Sequence, residues 1–202
     1  MPRFGILLLA AGQSRRFGRD KLMAQMPDGQ PIIAHSLQPL LTIAKQNHID
    51  ICVISRADNH HLNNYLAQQN IAFSLCPDAH LGMGHSIAHG VKISQSWHGW
   101  LIALADMPNI TISLLNTLLF EIQRDNDEIV RPQLLVAGRK IPSHPVYFPR
   151  RFGYSLSRLS GDNGARQLIQ QQKLLTNING DAIKENVLID IDTEEILKTL
   201  HK

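Results

Sequence analysis

The chain has 202 residues, a formal charge of +3, 44% hydrophobic residues and 18% charged ones. That length supports one sizeable core rather than two, and the balance excludes a disordered chain. A charge this small excludes non-specific nucleic-acid binding without a local basic cluster, and no run approaches the ~20 apolar residues of a membrane helix, so neither nucleic acid nor membrane is an expected partner.

The two cysteines make no disulfide framework. Cys52 lies in the apolar run 49–54 and is expected to be a buried, inert thiol, whereas Cys76 follows a strand-like segment and can face a cleft. Both suit a reducing compartment. The apolar run 4–11 is short and weakly flanked for a secretory signal, so a cytoplasmic location is expected.

Short apolar runs alternate with segments of helical period, the pattern of a mostly parallel sheet between helices. Residues 4–9 form an apolar first strand, continuous rather than alternating, as a strand buried on both faces should be. Residues 31–44 place Ile32, Ile33, Leu37, Leu40 and Leu41 at helical spacing despite Pro39. A strand is expected at 49–54, a helix at 58–69 with Asp58 as cap, a strand at 71–75, a helix at 83–94, a strand at 100–105 and a helix at 111–123 capped by Thr111. Beyond residue 125 the strand candidates 128–132, 134–137 and 145–148 leave no room for crossover helices, so they should pair antiparallel. Helices at 151–159 and 163–172, a strand at 187–191 and a terminal helix from about Thr193 complete the pattern. The expectation is one α/β domain, residues 1–202, in which 128–175 makes the second wall of a cleft.

The first chemical signal is Leu9-Ala10-Ala11-Gly12-Gln13-Ser14-Arg15-Arg16-Phe17-Gly18-Arg19-Asp20-Lys21, directly after the first strand. Open α/β sheets bind ligands there, beyond the carboxyl ends of their strands. Small residues at 10–12 let the backbone approach phosphate oxygens, and Arg16 and Lys21 supply the counter-charge for a triphosphate. The loop lacks the Gly-Lys-Ser/Thr triplet of a Walker sequence. The second signal is Leu104-Ala105-Asp106-Met107-Pro108, which sets a hard oxygen ligand suited to magnesium at the end of the fourth strand. A turn or capping aspartate is the plainer alternative there.

The segment Gly82-Met83-Gly84-His85-Ser86-Ile87-Ala88-His89-Gly90 opens a helix whose N-terminus can meet phosphate or ribose. His85 and His89 have zinc-pair spacing, but no third ligand accompanies them, and ordinary cleft or surface histidines are expected. Near the other wall, Gly161 and Gly164 permit close backbone approach and Arg166 can hold an anionic acceptor, while Asp162 also suits a helix cap. Asp190 and Asp192 precede the last helix, where capping is the alternative to a site role.

Taken in order, Leu-Ala-Ala-Gly-x-Ser-x-Arg-Phe-Gly-x-x-Lys (9–21), Gly-Met-Gly-x-Ser-Ile (82–87), Leu-Ala-Asp-Met-Pro (104–108), His-Pro-Val-x-Phe (144–148), Gly-Asp-x-Gly-Ala-Arg (161–166) and Asp-Ile-Asp-Thr (190–193) resemble the molybdenum cofactor cytidylyltransferases, within the molybdopterin nucleotidyltransferases. The resemblance implies a Rossmann-like, nucleotide-diphospho-sugar-transferase-like fold, Mg2+, and transfer of CMP from CTP to the phosphate of molybdenum-bound molybdopterin with release of pyrophosphate. It implies catalytic roles for Arg16, Lys21 and Asp106, nucleotide contacts at Leu9, Ala10, Ala11, Gly12, Gly82, Met83 and Ser86, and acceptor contacts at His144, Asp162, Gly164 and Arg166. Asp106 and Asp192 would be the metal ligands, with Asp190 the alternative to Asp192, and a molybdoenzyme would receive the product. Guanylyl-transferring relatives usually carry glycine where Ala11 stands. Two departures bear on the acceptor: the stretch 131–139 is long for the family, and Thr193 is followed by Glu194 rather than proline. The rival readings are guanylyl or another nucleotidyl transfer on the same fold, an oxidoreductase, and a non-catalytic cofactor-binding chaperone.

Overall fold

The apolar run after Phe4 becomes β1, Gly5–Leu9, in which every residue is buried. In this computed structural model, which describes residues 4–14, 17–18, 20–124, 127–136, 139–171 and 175–179, β1 lies between two parallel neighbours. Leu7 pairs with Cys52 of β2, Asp50–Ser55, and with Ile102 of β4, Gly99–Leu104. A third parallel strand, β3 (Phe73–Leu75), borders β2. The crossovers are helices α1 (Ile32–Asn47), α2 (His60–Gln68) and α3 (Met83–Ile93), and α4 (Ile112–Arg124) follows β4. α1 continues through Pro39 to its end.

Side chains alternate across β1 and build two cores. Ile6 and Leu8 pack with Ile33, Leu37 and Leu40 of α1 and Leu115 and Leu118 of α4. Leu7 and Leu9 pack with Ile87 and Val91 of α3, Trp100, Phe148 and Phe152. Each such fully buried side chain contributes roughly 1.5–3 kcal/mol relative to exposure.

Thr111 caps α4 as expected, its Oγ1 accepting from the Leu114 amide at 3.2 Å. The cap of α2 is instead Asn59, whose Oδ1 accepts from the Leu62 amide at 3.2 Å. Asp58 is drawn away by the Arg56 guanidinium at 2.6 Å. The cysteines exchange their expected places: Cys76 is buried and Cys52 half-buried, and burial raises the pKa of both thiols.

The second half departs further from the sequence pattern. One strand, β5 (Ile129–Val136), stands where two were expected at 128–132 and 134–137. Pro132 has no amide to donate, yet its carbonyl accepts from the Ser143 amide at 3.0 Å and the strand runs on through it. β5 pairs antiparallel with β6 (Arg139–Pro142) and with β7 (Val146–Pro149), and β7 lies antiparallel against β4. The described part of the long 131–139 stretch therefore belongs to the antiparallel β5–β6 pair. Among the described residues only short helices follow, α5 (Gly153–Leu156) after a 3-10 turn and α6 (Arg166–Gln170). An unanticipated strand, β8 (Leu175–Asn179), pairs parallel with β5. The strand expected at 187–191, the terminal helix, Arg15, Arg16, Arg19, Asp190 and Asp192 lie outside the described residues.

The sheet order is β3-β2-β1-β4-β7-β5-β6, with β8 on β5. The chain moves outward from β1 to β3, then returns to the other side of β1 as β4. Such a reversal opens a crevice at the carboxyl ends of β1 and β4. Among the described residues no helix is long and apolar enough to cross a membrane.

Candidate active site

That crevice is a hollow of about 430 Å³. One side is the backbone turn that leaves β1: the Ala10 amide still donates to the Ile54 carbonyl at 2.8 Å, after which the chain swings over the hollow. Leu9, Ala10, Ala11, Gly12, Gln13 and Ser14 all line it. A 3-10 turn at Lys21–Met23 then brings Lys21 back, so that its Nζ donates to Asp106 Oδ2 at 2.6 Å. The two side chains are 11% and 22% exposed, which places their charges in a partly dried cleft where electrostatic contacts weaken little with salt.

Asp106 is set by the strand before it and by a helix beside it. The Ala105 amide donates to the Leu9 carbonyl at 3.1 Å, tying the end of β4 to the end of β1. The Ala105 carbonyl accepts from Ser36 Oγ at 2.7 Å, a hydroxyl buried at 0% exposure on the sheet-facing side of α1. Sequence reasoning passed over Ser36. The signal was present, because a serine one turn from Ile32, Ile33 and Leu40 on an apolar helix face must find a partner inside.

The opposite side of the hollow is the start of α3, where Gly82, Met83 and Ser86 line it together with Asp162. At this helix end, which was expected to meet phosphate or ribose, the Gly84 amide donates to the Gly161 carbonyl at 2.8 Å. The glycines also answer a steric demand. A Cβ on Gly84 would stand 2.7 Å from the Ser160 carbonyl carbon, and one on Gly82, whose φ is 119°, would strike Gly161 and Asp162. His85 and His89 separate: His85 Nδ1 accepts from the Gly161 amide at 3.3 Å, and His89 Nε2 meets Ser74 Oγ at 2.8 Å. They form no metal pair. Burial, then Lys92, lowers the pKa of His89.

A second hollow of about 650 Å³ lies beyond this wall and shares Met83 with the first. His144, Gly164 and Arg166 line it, whereas Asp162, grouped with them in the sequence, faces the first hollow. His144 Nδ1 lies 3.3 Å from the Ile102 carbonyl, which fixes the ring beside the end of β4. Ile87, Ile102, Ile141, Val146, Phe148 and Ile169 give an apolar lining, and Arg131 adds a second guanidinium that the motifs did not nominate. Burial lowers the pKa of Arg131. A charged residue inside the apolar run 129–136 was its signal.

Among the described residues no group of three or more His, Cys, Asp and Glu side chains comes together. The carboxylates lining the first hollow are Asp106, at the end of β4, and Asp162, beside the start of α3. That fits a hard divalent cation held through one or two carboxylates plus substrate phosphates.

Comparison with known proteins agrees with this geometry. The chain is 30% identical over 200 residues to the purine catabolism protein PucB of Bacillus subtilis (strain 168), covering 94% of this chain and 91% of that one. It is 26% identical over 148 residues to a probable molybdenum cofactor guanylyltransferase of Rhodopirellula baltica, covering 72% and 68%. The crystal structure of Rv0371c from Mycobacterium tuberculosis H37Rv superposes with a TM-score of 0.79 at 20% identity, covering 98% of this chain and 97% of that one. Such structures share the nucleotide-diphospho-sugar-transferase-like α/β fold. The loop after β1 and the aspartate after β4, meeting at the sheet's reversal, both fall within residues 6–176, which match the MobA-like NTP transferase domain, and the chain belongs to that family of nucleotidyltransferases.

Proposed function

We propose that this chain transfers CMP from CTP to the phosphate of molybdenum-bound molybdopterin and releases pyrophosphate. The observation that carries the reading is the 2.6 Å contact between Lys21 and Asp106 inside the hollow at the ends of β1 and β4. The triphosphate would lie along the 10–12 backbone, with Lys21 and Arg16 as its cations and Gly82, Met83 and Ser86 along its nucleoside side. Mg2+, held by Asp106 with Asp192 as second ligand, would offset charge developing on the phosphates.

The acceptor would occupy the second hollow. Its flat ring system suits the apolar lining, and Arg166 and Arg131 suit its anionic group. An acceptor phosphate oxygen forms the new bond to the α-phosphorus as the bond to pyrophosphate breaks. That oxygen is already ionised near neutral pH, so no strong base is required. The protein's part is to position the two reactants and to stabilise charge. Residues 128–175 would supply most of the acceptor wall, with Asp162 at the junction of the two hollows.

Ala11 supports cytidylyl rather than guanylyl transfer, because its buried methyl lines the first hollow where guanylyl-transferring relatives usually carry glycine. The Rhodopirellula baltica relative's name favours the rival guanylyl reading. The Bacillus subtilis relative's name points to purine catabolism as the setting in which to seek a recipient molybdoenzyme. Purified protein with Mg2+, a molybdopterin source and each of four nucleoside triphosphates should release pyrophosphate fastest with CTP. Preference for GTP would replace the donor assignment. Absence of pyrophosphate release with all four triphosphates would overturn the transfer reading and favour a cofactor-binding chaperone.

A further inference from the structure

The two hollows meet at a wall made of Met83 and the turn at 160–164. The Gly161 peptide in that turn is held on both sides by the first turn of α3. Its carbonyl accepts from the Gly84 amide at 2.8 Å, and its amide donates to His85 Nδ1 at 3.3 Å. An imidazole accepting at Nδ1 is the neutral tautomer with its proton on Nε2. Glycine at 82 and 84 leaves the space in which the turn sits. Asp162, the next residue, reaches the first hollow, and Asn163, Gly164 and Arg166 line the second. One held peptide thus fixes the position of each hollow relative to the other.

We infer that His85 is a positioning residue for the transfer reaction: by holding the Gly161 amide it sets the donor and acceptor sites in register without touching either reactant. The inference rests on the two-site transfer proposed above. Reacting atoms must come within ~3–3.5 Å, and a misplacement of about 1 Å costs on the order of a hundredfold in rate. A loosened 160–164 turn therefore acts on kcat and on the acceptor KM. Nucleotide binding, which depends on the 10–14 backbone, Lys21 and the start of α3, is largely spared, because Ile87 and Val91 pack α3 on the sheet independently of the turn.

The test compares His85→Ala with His85→Asn, whose Oδ1 can replace Nδ1 as the acceptor. In H85A, kcat should fall at least tenfold, the acceptor KM should rise, and the CTP Kd measured without acceptor should stay within about twofold. Hydrogen exchange at the Gly161 amide should speed up in H85A, and H85N should restore both the exchange rate and kcat. Should H85A fail to fold, His85→Phe keeps a ring of similar shape, lacks an acceptor and carries the same expectation. Unchanged kcat and unchanged Gly161 exchange in H85A or H85F would overturn the inference, as would failure of H85N to restore either. The exchange measurement needs no substrate. Faster Gly161 exchange in H85A, in a protein whose wild type releases no pyrophosphate, would uphold the contact and refute the transfer reading instead.

Discussion

Replacing Lys21 by Met removes a charge while keeping most of the apolar stem. Two effects follow, and they separate. In the folded protein the Asp106 carboxylate, 22% exposed, loses a partner 2.6 Å away. An orphaned group this far from solvent costs about 1–3 kcal/mol, above the ~0–1 kcal/mol of a surface pair and below a fully buried one. In the proposed reaction, a preorganised donor aimed at developing phosphate charge would be lost, worth about 2.7–4 kcal/mol, or roughly a hundred- to a thousandfold in kcat. Asp106→Asn should lower kcat by a similar factor. The double variant is the decisive one. Removing both leaves no carboxylate without its cation, so the loss of stability should fall short of the sum of the single losses by about 1–2 kcal/mol. Its activity should sit near that of the worse single variant, since the two groups act as a unit. Denaturant unfolding reads the first quantity and pyrophosphate release the second. Additive stability losses, with K21M turning over at the wild-type rate, would refute a shared catalytic centre.

Three further outcomes follow. Gly84→Ala gains up to ~1 kcal/mol of helix propensity but sets a methyl 2.7 Å from Ser160 backbone, so a net loss of about 1–3 kcal/mol is expected on denaturation; a neutral or stabilising result would show that the 160–162 turn yields. Tyr147, buried against β4, has its phenol pushed up to about 12, first by desolvation and then by Asp127. Because the folded value lies above the ordinary value of about 10, its contribution is intact below pH ~10 and is lost as the pH rises towards 12, by at most about 2–3 kcal/mol. Tyr147→Phe should flatten that alkaline loss in pH-dependent unfolding, and an unchanged profile would remove the assignment. Arg166→Ala and Arg131→Ala should each raise the acceptor KM about tenfold or more while leaving CTP binding unchanged in calorimetry; a weakened CTP Kd would move those guanidiniums to the donor side.

The first half of the fold was legible because its signals are local and agree with one another. A continuous apolar run becomes β1, helical periods become α1 to α4, and the small basic turn falls where an open sheet leaves room. The second half was not, for identifiable reasons. The strand candidates 128–132 and 134–137 join into one because Pro132 sits within β5 with its carbonyl satisfied. The 175–179 strand owes its existence to the neighbouring edge of β5, a long-range partner that no local pattern in Leu175-Thr-Asn-Ile-Asn announces. At the site, charged and small residues stood out, whereas Ser36 and His85 act through backbone groups of distant segments, contacts that sequence spacing does not encode. The Gly82 and Gly84 pair invited a phosphate-binding reading because close approach to a ligand and close approach to a neighbouring turn make the same demand for glycine.

The reversed direction of β7 has a consequence for how such a chain can diversify. By running against β4, it delivers His144 and Val146 to the edge where β4 ends, next to the hollow entered from β1. The lining of the larger hollow is consequently drawn mainly from residues 131–170, the smaller one mainly from 9–106, and their overlap is confined to Met83 and the neighbouring turn. Substitutions in the β5–β6 hairpin or around α6 can reshape one compartment while the other keeps its walls, so a lineage could exchange one partner molecule and inherit the other unchanged.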